Sequence, residues 1–383
     1  MLRDAPPLGA NPGRARLLNR RLVLGRVHAA GAAGRAEIAR HTGLSVQAVS
    51  NIVGELAEDG LIEARAPLAG RRGLPAIRYR LRAAGGYALG IELRPDAMIA
   101  ALLDLSGAVR HARRRPMTAA EPAAALAEAA AMRDLALAEA GAEPARLLGA
   151  GIVMPGPFGR TGLAGAGSDL PAWRDLDARA AFEGALGVPV RLANDANAAA
   201  MAERVRGAAR DLLDYAYLYF GAGIGLGLVA GGRLVSGARG NAGEVGHVPV
   251  FVGGRSVRLE EVASRLAAVR HLAAAGLDAP DIEALAAHHD AGALGGWIAE
   301  AAPALAQAVG IVENLLDPQT VILGGAMPAS VLSDLIARAD LPAASVAATP
   351  GRRLPRLMLG ATGRSTAAIG GASLVLGAHL SPA

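Results

Sequence analysis

Residues 35–59 read RAEIARHTGLSVQAVSNIVGELAED, and this stretch decides the fold of the amino-terminal part of the chain. It predicts a short helix over Arg35–His41 and a longer helix over Val46–Asp59. Gly43 suits the left-handed position that follows a helix, and Ser45 is a good N-cap for the next one. Two helices joined by a short turn that contains glycine are typical of a helix-turn-helix, whose second helix enters the major groove of DNA.

The second helix has an apolar face and a polar face. Helical spacing directs four apolar side chains toward a core, namely Val49, Ile52, Val53 and Leu56. The opposite face carries three short polar side chains, namely Gln47, Ser50 and Asn51. Amide and hydroxyl groups can hydrogen-bond to base edges or to phosphates, so we predict that these three residues contact DNA. Which of them contacts a base stays open.

The flanking residues extend this motif to a winged helix-turn-helix. After a mobile tail at residues 1–15, the apolar pattern of Arg16–Ala29 predicts a first helix. Gly60–Glu63 predicts the end of the long helix and a short strand, and Ile77–Leu81 predicts the strand that pairs with it. We expect the complete domain to span residues 16–82.

Positive charge is concentrated in this domain. Residues 1–82 hold 14 Arg and 6 acidic residues, a net charge of +8, whereas the whole chain carries +5. Arg71 and Arg72 lie in the turn between the two strands, where we expect them to contact phosphates or the minor groove. This asymmetry favours double-stranded DNA as the partner of the segment. The alternative is a small helical bundle with a solvated basic face.

Composition excludes several other classes of protein. The chain has no cysteine, which rules out disulfides and thiolate metal sites. Its apolar stretches are interrupted before the roughly 20 residues that a membrane span needs. The amino terminus lacks the apolar core of a signal peptide. We therefore expect a cytoplasmic protein with no membrane partner.

The rest of the chain predicts a two-lobed α/β fold. We expect a first lobe at 83–195, a second at 196–364, and a helix at about 365–383 that packs back on the first. Two lobes with similar strand patterns favour a ligand-binding cleft between them. The strands are expected at Tyr87–Leu93, Met98–Leu105, Val109–Arg114, Leu148–Val153, Val188–Leu192, Ala216–Phe220, Ile224–Ala230, Arg233–Ser236 and Thr320–Leu323. The helices are expected at Glu121–Glu139, at Ala196–Arg206 and within Leu259–Leu316.

Five ordered stretches of these lobes resemble the ROK family of sugar kinases and sugar-responsive repressors. They are GIVMPGP at 151–157, NDANAA at 194–199, GAGIG at 221–225, GNAGEVGH at 240–247, and NLLDP at 314–318 followed by Leu323-Gly324-Gly325. The resemblance implies a two-lobed actin-like ATPase or ribonuclease H-like sugar-kinase fold. The winged helix-turn-helix in front of it resembles the repressor branch of the family.

The resemblance also implies a sugar site. Asp195 matches the family's catalytic base, and four further residues match sugar-contacting positions, namely Asn194, Glu244, His247 and Glu260. Carboxylates and amides suit this task because the hydroxyl groups of a buried sugar need hydrogen-bond partners. Alternatives remain, since Asp195 could instead cap a helix at Ala196 and His247 could be structural or a metal ligand.

The phosphate-binding elements of the family's kinases look lost. Their Asp-x-Gly-Gly-Thr loop corresponds here to Glu92-Leu93-Arg94-Pro95-Asp96, in which both glycines are replaced. Pro95 offers no amide proton and Asp96 repels phosphate. A second loop, Gly221-Ala222-Gly223, lacks the usual hydroxyl group. We expect no kinase activity and no ATP. We also expect no zinc, because the family's zinc site uses cysteines and one His cannot replace them.

These observations predict a transcription regulator, of the repressor type, for carbohydrate genes. A sugar effector would bind without phosphorylation, and binding to two DNA half-sites implies a homodimer or homotetramer. Two alternatives are an active sugar kinase with an added DNA-binding domain and a repressor controlled by a protein partner. The sequence identifies neither the sugar, the operator nor the direction of the response.

Overall fold

The structure is a computed structural model and describes residues 12–65, 77–117, 120–156, 170–361, 363 and 365–380. Its amino-terminal part contains three helices and three short strands in one antiparallel sheet of order β1-β3-β2. These elements are α1 (Pro12–Ala29), β1 (Ala33–Gly34), α2 (Arg35–Thr42), α3 (Val46–Glu58), β2 (Ile62–Arg65) and β3 (Arg78–Leu81).

The helix-turn-helix forms for the reasons that the sequence predicted. Gly43 takes the left-handed conformation after α2, with φ 73°, and the Ser45 hydroxyl accepts a hydrogen bond from the Ala48 amide at 3.1 Å. All four apolar side chains that were predicted for the core face of α3 are buried. Helix α1 begins four residues earlier than predicted. Its Leu17 and Leu18 are exposed, so only its second half packs on the domain.

The first large sheet follows directly and has the order β6-β5-β4-β7-β8. Strands β4, β5 and β6 pair antiparallel, whereas β7 and β8 run parallel to β4. Strands β4 and β5 are buried along their whole length, as expected of strands covered on both faces. The elements are β4 (Tyr87–Leu93), β5 (Ala97–Asp104), β6 (Val109–Pro116), α4 (Pro122–Glu139), β7 (Leu147–Val153), α5 (Ala178–Leu186) and β8 (Val190–Ala193).

A second sheet of order β11-β10-β9-β14-β15 repeats this mixed topology. Its strands β9 and β10 are antiparallel, and β14 runs parallel to both β9 and β15. The elements between the sheets and within the second one are α6 (Asp195–Arg206), β9 (Tyr215–Phe220), β10 (Ile224–Ala230), β11 (Arg233–Leu234), β12 (Pro249–Val252), β13 (Arg255–Arg258), α7 (Leu259–Val262), α8 (Arg265–Ala274), α9 (Ile282–Asp290), α10 (Gly295–Leu316), β14 (Val321–Gly325), α11 (Ala329–Arg338) and β15 (Leu357–Leu359).

Helix α12 (Thr366–Leu380) packs against both α6 and the first sheet. The approach to α6 is close because Gly370 faces the Ala198 carbonyl, where any Cβ would overlap the oxygen. At its other end α12 meets α1. Gly25 of α1 also lies against a backbone oxygen, that of the Leu380 carbonyl. A Cβ at residue 25 would overlap this oxygen.

The amino-terminal domain shares a core with the first sheet. A single apolar cluster contains Val53 and Leu56 of α3, Leu103 of β5 and Val375 of α12. The Arg146 guanidinium donates to the Asp59 carbonyl at 2.6 Å, which ties the end of α3 to the start of β7. The amino-terminal domain is therefore attached by packing as well as by the continuous backbone. Among the helices of the described segments, none combines the length and apolar composition that a membrane span requires.

Candidate functional site

The candidate site is a cavity of about 330 Å³ at the edges of the two large sheets. Its lining includes Pro155 and Gly156 after β7, Tyr219 at the end of β9, and the loop at 221–225. All five residues predicted for a sugar site line this one cavity, namely Asn194, Asp195, Glu244, His247 and Glu260. Residues separated by up to 66 positions in sequence are thus brought together.

Asn194 and Asp195 have different roles at the start of α6. The Asn194 side chain is the N-cap and accepts from the Asn197 amide at 2.8 Å. Asp195 lies in the first turn, where its Oδ1 accepts from the Ala196 amide at 2.8 Å. Its Oδ2 lies beside Gly221, 3.2 Å from the position that a Cβ there would take. Because Asn194 does the capping, the second carboxylate oxygen of Asp195 remains directed at the cleft.

The pKa of the Asp195 carboxyl is raised far above its ordinary value. Burial and then the neighbouring Glu92 carboxylate raise its pKa to about 7. The Ala196 amide and the Arg94 guanidinium act in the opposite direction. A carboxyl that exchanges its proton near pH 7 can accept a hydrogen bond from a sugar hydroxyl or donate one.

Glu244, His247 and Glu260 form the other wall. The His247 ring lies between the two carboxylates, with Nε2 3.9 Å from Glu244 Oε2 and Nδ1 3.8 Å from Glu260 Oε1. Burial raises the pKa of Glu244, Glu260 adds to that rise, and His247 opposes it. Helix α7 starts at Leu259 and so places Glu260 at the cavity. The three side chains offer acceptors and a ring N–H to hydroxyl groups.

A buried cluster that the sequence reasoning did not assign lies next to Asp195. Glu92 is only 3% exposed and accepts from Arg94 Nε at 2.6 Å. The Tyr219 hydroxyl lies 3.4 Å from both Glu92 Oε1 and Arg94 Nη2. Glu92 and Arg94 belong to the first sheet and Tyr219 to the second. One signal could have drawn attention to them, because Glu92 is the only charged residue in the apolar strand 87–93.

The turn after β4 does not present the backbone of a phosphate loop. The Arg94 amide donates to the Ala97 carbonyl at 2.8 Å, and this bond closes the hairpin between β4 and β5. Pro95 follows and has no amide proton. Two successive positions of the loop therefore have no amide N–H left for a phosphate oxygen.

A second polar surface lies on the amino-terminal domain. Gln47 and Asn51 of α3 are exposed and hydrogen-bond to each other at 3.1 Å, and Ser50 is half-buried beside them. All three are on the face opposite the buried apolar stripe. The predicted contacts of Arg71 and Arg72 fall outside the described residues.

The segment after His247 is a two-stranded hairpin whose first strand is apolar. Strands β12 and β13 pair antiparallel, and Val250 is fully buried. Gln307 of α10 holds this hairpin, accepting from the Phe251 amide and donating to its carbonyl, both at 2.9 Å. Within the described ranges, no group of three or more metal-ligating side chains is placed to hold a metal ion. With no cysteine in the chain, the donor set here does not fit the family's zinc site.

Comparison with known proteins assigns the chain to a family. The sequence model of the ROK family matches residues 88–377, and that of the MarR family matches residues 19–73. The chain belongs to the ROK family. Protein y4fQ of Sinorhizobium fredii is 31% identical over 307 residues, which is 79% of this chain and 76% of that protein. The xylose repressor of Bacillus subtilis is 26% identical over 237 residues, or 62% of each chain.

Solved structures of ROK regulators and ROK kinases share the fold. A ROK family transcriptional regulator, a homologue of the E. coli MLC protein, superposes with a TM-score of 0.70 at 22% identity. That match covers 94% of this chain and 96% of the regulator, so it includes the amino-terminal domain. The ROK hexokinase of Thermus thermophilus has a TM-score of 0.57 at 27% identity, over 75% of this chain and 97% of the kinase.

Proposed function

We propose that this protein is a DNA-binding transcription regulator, of the repressor type, whose affinity for its operator is controlled by a sugar. The observation that carries the proposal is the presence, in one chain, of a winged helix with a polar α3 face and a cavity lined by five sugar-compatible side chains. The similarity to the xylose repressor over 62% of the chain, and to the fold of a ROK regulator over 94% of it, supports the proposal.

In the DNA-binding part, α3 would enter the major groove. Gln47 and Asn51 are exposed on its amino-terminal half, where side chains reach base edges in this motif. The surplus of Arg in residues 1–82 supplies attraction to phosphates. Two copies of the domain are needed for two half-sites, so we propose a homo-oligomer, at least a dimer.

In the sensor part, the sugar would be bound but not phosphorylated. The hydrogen bond that closes the turn at Arg94, together with Pro95, argues against phosphoryl transfer, which depends on donors around the phosphates. We therefore propose that the protein needs neither ATP nor zinc. The fold similarity to a hexokinase keeps the kinase alternative testable, because it predicts ATP turnover.

Three helices offer a route from the sugar to the DNA. Helix α6 carries Asp195 at its start, α12 packs on α6 at Gly370, and α1 packs on α12 at Gly25. Helix α1 is tied to the end of α3, since Arg20 pairs with Glu55 at 2.9 Å and also with Asp59. A movement of α6 on sugar binding would therefore change the position of α3. The effect on DNA affinity would be a coupling free energy between the two sites.

The test is fluorescence anisotropy of DNA from upstream of the gene, with and without a panel of sugars. The proposal requires that at least one sugar changes the affinity, and that Asp195→Ala removes that change while DNA affinity alone is kept. DNA binding should weaken steeply with salt, because phosphate contacts release counterions. DNA binding that no sugar alters would support control by a protein partner, and ATP turnover with a sugar would support the kinase.

A further inference from the structure

We propose that Gln307 takes over, in this chain, the task of the structural zinc ion found in the family. As a positioning residue it holds the hairpin of β12 and β13 and so fixes His247 and Glu260 at the cavity. The hairpin connects these two residues directly, because His247 lies just before β12 and Glu260 just after β13. The inference rests on the proposed function only where it treats the two residues as sugar contacts.

The hairpin sets the spacing of the two cavity residues. At its base the Leu259 amide donates to the Val248 carbonyl at 3.0 Å. At its tip Gly253-Gly254 takes the left-handed conformation, with φ 56° and 75°, as the two-residue turn of a tight hairpin requires. His247 Nδ1 and Glu260 Oε1, 3.8 Å apart, therefore belong to the two ends of one short closed loop. A movement of the hairpin would move both.

The hairpin needs an anchor because it is small. Each strand has four residues, and a two-stranded hairpin by itself is at best marginally stable. Val250 is the only buried residue of the two strands, whereas Phe251 is 68% exposed. A structural zinc ion can supply an anchor, but residues 248–259 contain neither Cys nor a second His.

Gln307 supplies the anchor from α10. Its side chain accepts from the Phe251 amide and donates to the Phe251 carbonyl, both at 2.9 Å. A residue in a neighbouring antiparallel strand would make the same pair of bonds, so the glutamine closes the free edge of β12. Its helix is firmly placed, since Leu305 and Ala308 beside it are completely buried. Because both bonds are made by an uncharged amide, this anchor needs no metal ion.

Helix α10 also holds the chain beyond Glu260. The Trp297 ring Nε1 donates at 2.8 Å to the carbonyl of Val262, the last residue of α7. Trp297 is only 3% exposed and lies ten residues before Gln307, which is about 15 Å along the helix. One helix therefore fixes the segment that carries Glu260 on both of its sides.

The ion pair at the foot of the hairpin is a weaker tie. Arg258 Nε lies 2.8 Å from Glu261 Oε1, but the two side chains are 46% and 44% exposed. Exposed ion pairs contribute little because water and salt screen them. The position of the hairpin therefore depends on Gln307.

The first experiment is hydrogen–deuterium exchange of the full chain, with Gln307→Met as the test variant. Methionine keeps the length of the side chain and suits a helix, but it makes neither bond to Phe251. We expect amide exchange within residues 248–258 to rise about fivefold, as the loss of one hydrogen bond predicts. Unchanged exchange in this segment overturns the proposal.

Gln319→Met is the matched control. The Gln319 side chain also bonds two backbone groups, accepting from the Leu213 and Asp214 amides at 2.9 and 3.1 Å, but at the start of β9 instead of the hairpin. Exchange within residues 248–258 should stay as in the unchanged protein. An equal rise in the control would make the effect a general loosening of the lobe and would overturn the proposal.

Metal analysis tests the replacement of zinc. The purified full chain should contain no zinc, and neither EDTA nor added zinc chloride should shift its thermal unfolding midpoint. One zinc ion per chain, together with a midpoint that EDTA lowers, overturns the proposal.

Calorimetric titration with glucose, xylose and N-acetylmannosamine tests the positioning role. For a sugar that binds the unchanged protein, Gln307→Met should weaken binding about tenfold, because the sugar must then order the hairpin, whereas Gln319→Met should keep the affinity. Equal affinity in Gln307→Met overturns the positioning role. If none of the three sugars binds the unchanged protein, the sugar response and the positioning role both fail, and the exchange measurement still decides the anchor.

Discussion

Replacing Asp195 by Asn should stabilise the sugar-free protein at alkaline pH, although it removes a residue of the proposed sugar site. In the folded chain the pKa of Asp195 is raised from 3.8 to about 7, first by burial and then by Glu92. Between these two pH values the folded state keeps a proton that the unfolded state has lost, so stability falls as the pH rises. Above pH 7 the ionised carboxylate remains as a constant penalty.

The size of this penalty follows from the shift in pKa. A rise from 3.8 to about 7 corresponds to about 4 kcal/mol, of which about 2 kcal/mol accumulates between pH 5.5 and pH 8.5. These are upper values, because part of the side chain faces the water of the cleft. The neutral amide has no such dependence, and its oxygen can still accept from the Ala196 amide.

The assay is thermal unfolding of both proteins, without sugar, at pH 5.5 and pH 8.5. The stability advantage of Asp195→Asn over the unchanged protein should grow from pH 5.5 to pH 8.5 by about 1–2 kcal/mol, which is roughly 2–3 degrees in the unfolding midpoint of a domain of this size. Asp104→Asn serves as a control for the loss of a carboxylate outside the cleft. An advantage that is the same at both pH values, or a loss of stability at pH 8.5, would falsify the assignment of Asp195 as a group held near neutrality.

Three further changes test the other parts of the argument. Gly25→Ala places a Cβ against the Leu380 carbonyl, so it should reduce the effect of sugar on DNA affinity, typically 5–150-fold in coupled systems, toward unity while sugar affinity is kept. Gly54→Ala on α3 is its control, because a Cβ there meets nothing within 4 Å. Ser45→Ala removes the cap of α3 and should cost about 1 kcal/mol of stability, measured by urea unfolding. Asn51→Ala should weaken operator binding by about 1–3 kcal/mol without changing its salt dependence, because no charge is lost. If the anisotropy titration is unchanged, Asn51 does not contact the operator.

The amino-terminal domain could be predicted almost completely, because its signals are local. The cap at Ser45 and the left-handed Gly43 each act within a few residues of their own position. The early start of α1 was missed, since Pro12 is permitted in the first turn of a helix but gives no apolar periodicity.

Helix α5 was also missed. Its Asp177 N-cap and the left-handed Gly187 after its last turn are local signals of this helix.

The residues of the candidate sugar site were identified from motifs rather than from spacing. Asp195 and Glu244 are 49 residues apart, and only the family resemblance indicated that they share a cavity. The pairing of Glu92 with Tyr219 bridges 127 positions and two sheets, so no local pattern could reveal it. The close contacts of Gly25 and Gly370 likewise depend on how helices pack, which the sequence does not encode at a single position.

In the proposed function, the absence of catalysis and the presence of regulation can be traced to one feature, the β4–β5 turn. A kinase must admit and release a nucleotide, so its lobes need a free phosphate loop between them. Here the Arg94 amide completes the hairpin, and its side chain joins Glu92 and Tyr219 across the two sheets. With that end closed from within, we propose that a sugar is the ligand to which the cleft responds. A movement of α6 on sugar binding would then be transmitted through α12 to the domain that carries α3.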